Sequence, residues 1–489
     1  MTGEIVHSIR EATPEATERR IESAPRACAL VELRADDLRS PDVAGLVRRA
    51  GRPVVVTVRA RADGGSFDGS TDEKRSMLEA ALAAGAAFID IEWDGPLREF
   101  ALGSLAARTI LSHHGASCDP QPLAALFNAM ADTRAERLKI VPRVLRAPEC
   151  LVVRELLKRA RAAKRSLCAF GSGPRGVWSR VFAIAWGSWG TYGAAERGRE
   201  TGDGQLESRD LLDVYRVLEL SESTRVFALC GSPIAGSPSP AMHAAGYREL
   251  GLDAVYVPLE TDDIADVSRF VEDGGAFPLS GLGVTIPLKE EAARRCATLD
   301  TFAACGSANT VTISPSGWKG WNTDAPAALA LIRKQLEPRG LPVAIVGAGG
   351  TARAIAAALK DAGAIVTLYN RNVVRGAETA AAVGVGAAAL TELPAAEWSV
   401  LIHATPLGRE GEEVLFRRFL NGRMVLDAAY GSEPTPLVKA ARARGLAVVD
   451  GLLLLEEQAY LQFECLTGRP APKDAMRAAL QPRRESPGA

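Results

Sequence analysis

The sequence predicts an α/β protein with two regions, a closed barrel of eight βα units and then a two-lobed α/β region that includes a dinucleotide-binding lobe. Three observations support this prediction. Short apolar runs alternate with longer helical stretches from residue 4 to residue 188, the pattern of parallel βα units. A new strand then enters a loop of Gly, Ser and Pro at 226–243, and residues 343–354 read VAIVGAGGTARA.

Length and composition limit the classes of protein that this chain can belong to. A typical domain of about 100–250 residues predicts two or three domains in 489 residues. With 47% apolar and 24% charged residues and a net charge of −1, the chain is typical of a globular protein and has no electrostatic basis for binding nucleic acid or an anionic membrane. Eight scattered cysteines without a CxxC pair indicate reduced thiols and no metal site. The N-terminus has no apolar signal region and no apolar run is long enough to span a bilayer, so we expect a cytoplasmic protein.

The predicted barrel strands are runs rich in β-forming residues, at 4–9, 28–34, 53–59, 87–93, 108–114, 137–143, 166–172 and 181–188. Eight such units in this length predict a compact (β/α)8, or TIM, barrel with its chemistry at the carboxyl ends of the strands. Those ends carry an unusual density of polar and ionisable residues: Glu32, Arg34, Arg59, Asp90, Glu92, His113, His114, Lys139 and, just before the last run, Ser179 and Arg180.

Lys139 and His114 are the candidate catalytic residues of the barrel. Lys139 lies inside an apolar strand, RLKIVPR, where a cation is costly unless it is paired or neutral. A lysine with a lowered pKa can attack a carbonyl and form a Schiff base, and His114, at the end of another strand, could move the α-proton of the resulting imine. The alternative is a lysine that snorkels to solvent and a structural histidine. Their occurrence together with several arginines on one barrel face favours catalysis.

The motifs ELRAD (32–36), TVR (57–59), DIE (90–92), SHH (112–114), LKI (138–140) and SR (179–180) occur in this order and resemble the type I 3-dehydroquinate dehydratases over residues 4–216. The resemblance implies that Lys139 forms a Schiff base with the ketone of 3-dehydroquinate and that His114 removes a proton and then helps water to leave. It assigns substrate contacts to Glu32, Arg34, Arg59 and Arg180, and to Thr201 and Gln205 of a lid that reads TGDGQ (201–205). Asp63 stands where this family has a glutamate.

The second region offers a carboxylate site and a proton-transfer pair. Ser237 and Ser239 lie two positions apart on a loop, where their hydroxyls could bind a small carboxylate, or could only cap the turn. Lys289 follows a strand and a proline in GLGVTIPLKE, and Asp324 lies before a helix in GWNTDAP. Such a lysine and aspartate could transfer a proton together. The alternative is a surface salt bridge, worth less than about 1 kcal/mol.

A strand, a tight turn and a helix are predicted within VAIVGAGGTARA. The turn consists of Gly347, Ala348, Gly349 and Gly350. Glycines allow the sharp turn and the close approach of a pyrophosphate to N–H groups at a helix N-terminus. After the next strand, where an NAD-binding domain usually has an acidic residue, this chain has Asn370, Arg371 and Arg375. Because the arginine fork suits a 2′-phosphate, we predict NADP(H); two solvated arginines at a helix start are the alternative.

Six motifs of the second region, SPSP, VTIPLK, NTD, GAGG, ATPLG (404–408) and DG (450–451) with Gln458, resemble the shikimate dehydrogenases over residues 226–480. The resemblance implies that Lys289 and Asp324 manage the proton while hydride from the nicotinamide reduces a 3-keto group. It implies carboxylate binding by Ser237 and Ser239, adds substrate contacts from Thr285, Asn309 and Gln458, and adds Thr405 to the cofactor site. Gly283 and His403 stand where this family has asparagines, and Leu454 where it has a methionine.

The predicted domains are the barrel at 1–222, a substrate-binding lobe at 225–325, an NADP-binding Rossmann domain with returning C-terminal helices at 326–480, and a disordered tail at 481–489. The two resemblances imply consecutive reactions on small molecules: dehydration of 3-dehydroquinate, then reduction of 3-dehydroshikimate to shikimate. Two alternatives remain. The second region could act on quinate, for which Gly283 leaves room, or the chain could be a ligand sensor without catalysis.

Overall fold

The computed structural model describes residues 3–38, 42–272, 277–431 and 433–480, so the predicted disorder of the tail at 481–489 concerns residues outside the described chain. The chain divides into two compact units. The first comprises Met1–Thr224, Val257–Thr261 and Ala265–Pro278, and the second comprises Arg225–Tyr256, Asp262–Ile264 and Leu279–Ala489.

The first unit is built on a barrel of parallel strands. The strands are β1 (Glu4–Ile9), β2 (Leu30–Arg34), β3 (Val54–Thr57), β4 (Phe88–Glu92), β5 (Thr109–His114), β6 (Arg137–Val141), β7 (Leu167–Ala169) and β8 (Gly190–Ala194). Their spatial order is β7-β6-β5-β4-β3-β2-β1-β8. The Trp189 N–H donates to the Leu167 carbonyl at 3.1 Å and joins β8 to β7. The predicted eight-stranded barrel is therefore confirmed.

The helices of the barrel are α1 (Pro14–Glu22), α2 (Val43–Arg49), α3 (Thr71–Ala83), α4 (Arg98–Leu102), α5 (Pro120–Ala131), α6 (Cys150–Ala162), α7 (Val177–Phe182) and α8 (Ser208–Asp213). The prediction of the eighth strand at 181–188 was wrong, because this run contains the end of α7 and the turns that follow it. Trp178, Phe182 and Trp186 recur at helical spacing and are buried, and the Trp178 ring packs on Phe270 at 5.1 Å and on Phe277 at 4.9 Å. A short apolar run does not by itself distinguish a strand from a buried helix.

A mixed sheet follows along the chain. Its strands are β9 (Arg225–Gly231), β10 (Ala254–Glu260), β11 (Leu279–Val284), β12 (Thr298–Leu299), β13 (Thr310–Ser314) and β14 (Gly317–Trp321), in the order β10-β9-β11-β13-β14-β12. The helices of this part of the chain are α9 (Ser239–Glu249), α10 (Ile264–Glu272), α11 (Lys289–Arg295) and α12 (Asp324–Arg333). β11 pairs in parallel with β9 and antiparallel with β13, so loops from both connections meet near the carboxyl end of β11.

The last sheet is entirely parallel and has the strand order of a Rossmann fold. Its strands are β15 (Pro342–Val346), β16 (Ile365–Asn370), β17 (Gly386–Ala389), β18 (Val400–His403), β19 (Met424–Asp427) and β20 (Ala447–Val449), in the order β17-β16-β15-β18-β19-β20. The helices are α13 (Gly350–Asp361), α14 (Val373–Val383), α15 (Pro436–Ala443), α16 (Gly451–Thr467) and α17 (Lys473–Ala478). The strand order reverses between β15 and β18, where dinucleotides bind in such sheets.

Two further properties concern the described chain as a whole. No helix in the described ranges is long and apolar enough to cross a membrane. All eight cysteines are free thiols.

Ile110 tests the packing of the barrel interior. Its side chain is fully buried in a cluster with Val55 and Val141. Ile110→Ala should destabilise the first unit by about 2–5 kcal/mol, because it removes buried carbon and leaves a cavity. We expect a lower urea midpoint by circular dichroism. Leu145, which is 62% exposed, is the control, and Leu145→Ala should change stability by less than about 0.5 kcal/mol. Equal shifts in both variants would contradict this packing.

Candidate active sites

Lys139 lies at the centre of the barrel mouth. It is 5% exposed, its Nζ is 3.6 Å from Asp90 Oδ2, and it lies 3.7 Å from the centre of the Tyr192 ring. The aromatic face and the carboxylate both favour a cation, which offsets the cost of burial. Sequence reasoning missed Tyr192 because it placed the eighth strand too early.

Asp90 connects Lys139 to the other polar groups of the site. Its Oδ1 accepts from Arg59 Nη2 at 3.1 Å and from Ser112 Oγ at 2.6 Å. Burial by itself would raise the pKa of Asp90, but Lys139, Arg59 and the Ser112 hydroxyl together hold this pKa below its usual value. Asp90 is therefore a carboxylate at neutral pH and compensates two buried cations.

His114 contacts Arg59 and not Asp63. Arg59 Nη1 lies 2.8 Å from His114 Nδ1, and because a guanidinium only donates, Nδ1 accepts and the ring proton is assigned to Nε2. Burial, with Arg59 and Lys139 nearby, holds the pKa of His114 below its usual value, although the side chain borders solvent at the barrel mouth. The ring is thus neutral. Asp63 is exposed, so Arg59 is the group that orients the histidine.

Glu32 and Arg34 lie on β2 and are both buried. Glu32 accepts from Ser8 Oγ at 2.7 Å and from Thr57 Oγ1 at 2.8 Å, which fixes its carboxylate from both sides. Arg34 forms a two-point contact with Asp36, from Nε at 3.0 Å and from Nη2 at 2.8 Å. Asp36, which sequence reasoning did not single out as a partner, occupies the fork of Arg34 in this structure.

The lid at 201–205 rests on two buried arginines. Arg34 Nη1 donates to the Thr201 carbonyl at 3.0 Å, and Arg180 Nη2 donates to the Asp203 carbonyl at 3.2 Å. Within the lid, the Thr201 N–H and hydroxyl both donate to Gln205 Oε1, at 2.7 and 3.0 Å. Burial lowers the pKa of Arg180 to about 10, and its guanidinium lies over the Phe170 ring at 4.1 Å. The lid is therefore closed onto the residues that were predicted to bind substrate.

The remaining strand-end residues have other partners. Glu92 pairs with Lys74 at 2.7 Å, and His113 Nδ1 lies 2.9 Å from Asp94. Ser179 accepts from the Gly171 N–H at 2.8 Å and donates to the Gly176 carbonyl at 2.6 Å, which is a structural role.

In the second unit, Lys289 and Asp324 form a close ion pair. Lys289 Nζ is 2.5 Å from Asp324 Oδ2, and each residue is the first of its helix, α11 and α12. Thr351, from the glycine-rich turn, bonds to both, at 2.8 Å from Lys289 Nζ and 3.1 Å from Asp324 Oδ2. Sequence reasoning missed Thr351, although its position directly after Gly350 places it at the start of α13.

Asn309 holds the second oxygen of Asp324. Its Nδ2 is 2.8 Å from Asp324 Oδ1 and 3.3 Å from Gln458 Oε1, while its Oδ1 accepts from the Thr323 N–H at 2.8 Å. All these side chains are buried or nearly so. The carboxylate is thus bound on both oxygens and cannot rotate freely.

A cavity of about 800 Å³ brings the predicted substrate residues of the second region together. Its lining includes Ser237, Ser239, Thr285, Lys289, Asn309, Asp324, Thr405 and Gln458. Ser237 Oγ donates to Ser239 Oγ at 3.2 Å, so the two hydroxyls face one another at the N-terminus of α9. Thr351 and Gln462, which were not predicted, also line this cavity.

The glycine-rich turn passes close to neighbouring backbone and side chains. Gly347 has φ +121°, and a Cβ there would lie 2.8 Å from the Ala404 carbonyl. At Gly350 a Cβ would lie 2.6 Å from Ser307 Oγ and 2.9 Å from Lys289 Cβ, so only glycine lets α13 begin beside the lysine. Gly349 caps α13 without a side-chain hydrogen bond, and its Cβ position faces open space. The uncapped helix N-terminus can therefore receive an anion.

The predicted 2′-phosphate residues follow β16. Asn370 Nδ2 donates to the Asn372 carbonyl at 2.7 Å, and Arg371 and Arg375 are exposed. Arg375 Nη2 lies 3.7 Å from Glu290, which also lies 3.5 Å from Arg353. None of Asn370, Arg371 and Arg375 belongs to the lining of the described cavity.

Two departures from the shikimate dehydrogenase pattern have structural consequences. His403 is buried between Asp427, at 2.9 Å from Nδ1, and Thr405, at 2.5 Å from Nε2, so it orients a threonine of the cavity. At Gly283 the Tyr256 hydroxyl and the Gln462 amide occupy the space that a side chain would need, so the asparagine of the family pattern does not fit here without a shift of these groups.

The known proteins that resemble this chain match its first region, its second region or both. The Type I 3-dehydroquinase family model matches residues 5–222, the shikimate dehydrogenase substrate binding domain matches 229–311, and the Shikimate 5′-dehydrogenase C-terminal domain matches 451–481. The chloroplastic bifunctional 3-dehydroquinate dehydratase/shikimate dehydrogenase of Arabidopsis thaliana is 29% identical over 481 residues, 91% of this chain and 78% of that protein. The shikimate dehydrogenase (NADP(+)) of Halobacterium salinarum is 40% identical over 264 residues, 53% of this chain and 99% of that protein. Among solved structures, Thermus thermophilus shikimate 5-dehydrogenase with NADP(H) and shikimate matches with 34% identity and a TM-score of 0.47, over 52% of this chain and 98% of that chain.

The fold and the two lysine-centred sites define an enzyme with a barrel lyase and a dinucleotide-dependent oxidoreductase on one chain. The chain belongs to the type I 3-dehydroquinase family in its first region and to the shikimate dehydrogenase family in its second.

Thr351→Val should lower the oxidoreductase kcat by about 10- to 100-fold, because a hydrogen bond to a charged group contributes about 1.5–3 kcal/mol. Thr351→Ser keeps the hydroxyl and should stay within about threefold of wild type. The measurement is NADPH absorbance with 3-dehydroshikimate, and the dehydratase rate of each variant is the internal control. A wild-type rate in Thr351→Val would show that the hydroxyl does not support the Lys289–Asp324 pair.

Proposed function

We propose that the barrel dehydrates 3-dehydroquinate to 3-dehydroshikimate and that the second unit reduces this product to shikimate with NADPH. The observation that carries the proposal is that each of the two regions contains its own lysine paired with an aspartate, Lys139 with Asp90 and Lys289 with Asp324. The product of the first reaction is the substrate of the second. The Arabidopsis relative, similar over 91% of this chain, carries both activities in its name.

In the barrel, Lys139 gives up a proton and its neutral amine adds to the ketone carbon. The adduct then loses its hydroxyl, which leaves as water with that proton, to form an imine. His114 then removes a proton from the carbon next to the imine carbon, and the electron pair expels the neighbouring hydroxyl, which leaves as water with the proton that His114 carries. Hydrolysis returns Lys139, so one water is lost in total. In the free protein Arg59 donates to His114 Nδ1, and an anionic substrate that draws Arg59 away would free this lone pair for catalysis.

In the second unit, Ser237 and Ser239 bind the substrate carboxylate, and Thr285, Asn309 and Gln458 hold the ring. The turn at Gly347–Gly350, together with Arg371, Arg375 and Thr405, would hold NADPH, which would supply hydride to the 3-keto carbon. Lys289 gives a proton to the carbonyl oxygen, and Asp324 stabilises the protonated lysine from 2.5 Å away. The glycine geometry, the uncapped N-terminus of α13 and the arginines after β16 support this cofactor.

The predicted domain limits, 1–222, 225–325 and 326–480, are part of this proposal, as is a cytoplasmic location. Free thiols support a reducing compartment.

The central experiment supplies 3-dehydroquinate and NADPH to the purified chain and follows the absorbance of the enone and of NADPH. We expect enone formation without NADPH and NADPH consumption when it is present. Lys139→Ala should abolish the first reaction and the adduct that borohydride traps with substrate, while it leaves reduction of added 3-dehydroshikimate intact. Lys289→Ala should do the reverse. Enone formation without NADPH consumption in wild type would contradict the second half of the proposal, and an adduct that persists in Lys139→Ala would contradict the first.

The lowered pKa of His114 has a measurable consequence. A base with a lowered pKa stays deprotonated to lower pH, so the rate of dehydration should fall only as the pH drops through a value below 6.5, the usual pKa of histidine. NMR titration of isotope-labelled histidines should place the His114 pKa below 6.5. The chain has five histidines, and the signal missing in His114→Asn identifies this ring. A His114 pKa at or above 6.5 would show that Arg59 and Lys139 do not lie beside the ring in solution.

A further inference from the structure

One wall of the reductase cavity, at Gly283, is backed by Tyr256 and Gln462, which the predicted substrate set does not contain. Gly283, near the end of β11, lines the cavity. A Cβ at this position would lie 2.0 Å from Tyr256 Oη and 2.8 Å from Gln462 Oε1. Tyr256 and Gln462 therefore occupy the space that a side chain at 283 would need.

The orientation of Gln462 is determined by its neighbours. Its Nε2 lies 3.2 Å from the Asn309 carbonyl and 3.0 Å from Thr310 Oγ1; because a carbonyl only accepts, this atom is the NH₂ group. Its Oε1 then accepts from the Tyr256 hydroxyl at 3.1 Å and from His243 Nε2 at 3.2 Å. Every hydrogen-bonding position of the buried amide is occupied.

His243 keeps this arrangement independent of pH. Its ring stacks on Tyr256 at 4.2 Å, and burial lowers the pKa of His243 to about 3. The ring is neutral with its proton on Nε2, the atom that faces Gln462. Protonation at ordinary pH therefore does not disturb the wall.

One residue separates Gln462 from the proton-transfer pair. Gln462 bonds to the backbone of Asn309, and the Asn309 side chain bonds to Asp324 at 2.8 Å. Asp324 in turn lies 2.5 Å from Lys289 Nζ. A displacement of Gln462 would thus move Asn309 relative to the carboxylate.

We propose that Gln462 is a positioning residue for the reduction of 3-dehydroshikimate. It holds Asn309 against Asp324, lines the cavity beside Gly283 and is itself held by Tyr256. The inference rests on the proposed function of the second unit. It adds to that function the residues that determine the shape of the substrate cavity beside Gly283, which has no side chain of its own.

The first test compares Gln462→Met, which keeps the volume but loses the four hydrogen bonds, with Leu461→Met. Leu461 lies one position earlier on α16 and packs on a different apolar cluster, so its exchange is a matched control. We expect Gln462→Met to raise the KM for shikimate about tenfold. A tenfold change corresponds to a loss of about 1.4 kcal/mol of binding free energy. The KM for NADP⁺ should stay within about twofold of wild type, because the cofactor turn lies elsewhere.

The second test is a double-mutant cycle of Gly283→Ala and Tyr256→Phe. Gly283→Ala alone should raise the KM for shikimate about tenfold or more, since its Cβ collides with Tyr256 Oη. Tyr256→Phe removes this oxygen, so the double variant should regain most of the loss, to within about threefold of Tyr256→Phe alone. This recovery is not expected if position 283 acts only through the backbone.

The outcomes separate this inference from the function on which it rests. If wild type and Leu461→Met both fail to oxidise shikimate with NADP⁺, the proposed function is wrong. If both are active and Gln462→Met keeps the wild-type KM for shikimate, or raises both KM values equally, the positioning role is overturned. If Gln462→Met does not fold, the double-mutant cycle is the deciding test. A double variant whose KM for shikimate is as high as that of Gly283→Ala overturns the inference.

Discussion

A charge removed from water must be compensated nearby, and both sites of this chain are organised by that requirement. Lys139 lies beside Asp90, and Lys289 beside Asp324. Breaking such a pair by removing one partner leaves an isolated buried charge, which costs about 3–5 kcal/mol. Further polar groups bind the carboxylates: Arg59 and Ser112 both donate to Oδ1 of Asp90, and Asn309 and Thr351 donate to the two oxygens of Asp324.

The two sites use different scaffolds to satisfy this requirement. In the barrel, Asp90, Ser112 and Lys139 stand on the adjacent parallel strands β4, β5 and β6, so the register of the sheet sets their spacing. In the second unit, Lys289, Asp324 and Thr351 come from the first turns of three separate helices. The approach of α13 to Lys289 requires a glycine at 350, so the cofactor turn and the proton-transfer pair depend on the same backbone contact.

Sequence reasoning was most successful where periodicity or strand ends determine position. The barrel, the Rossmann order and the meeting of Lys289 with Asp324 follow from local patterns and from the rule that parallel strands end at one face. It was wrong for the eighth strand, because VFAIAWGS is more apolar than β8, yet it holds the end of α7 and a turn in which Trp186 stacks on Phe182. Tyr192 was missed for that reason. Gln462 and Tyr256 were missed for another reason. They contact each other across 206 positions of the chain, and no local pattern indicates such a contact.

The contacts of the barrel lid determine which of its positions are free to vary. Arg34 and Arg180 bind the lid through the carbonyl oxygens of Thr201 and Asp203 and not through their side chains. Every residue type has a backbone carbonyl, so a substitution at position 203 keeps the hydrogen bond from Arg180. Replacement of either arginine removes its hydrogen bond to the lid. The side chains of such a lid can therefore change without loss of closure. The two arginines, which lie far from the lid in the sequence, determine where it docks.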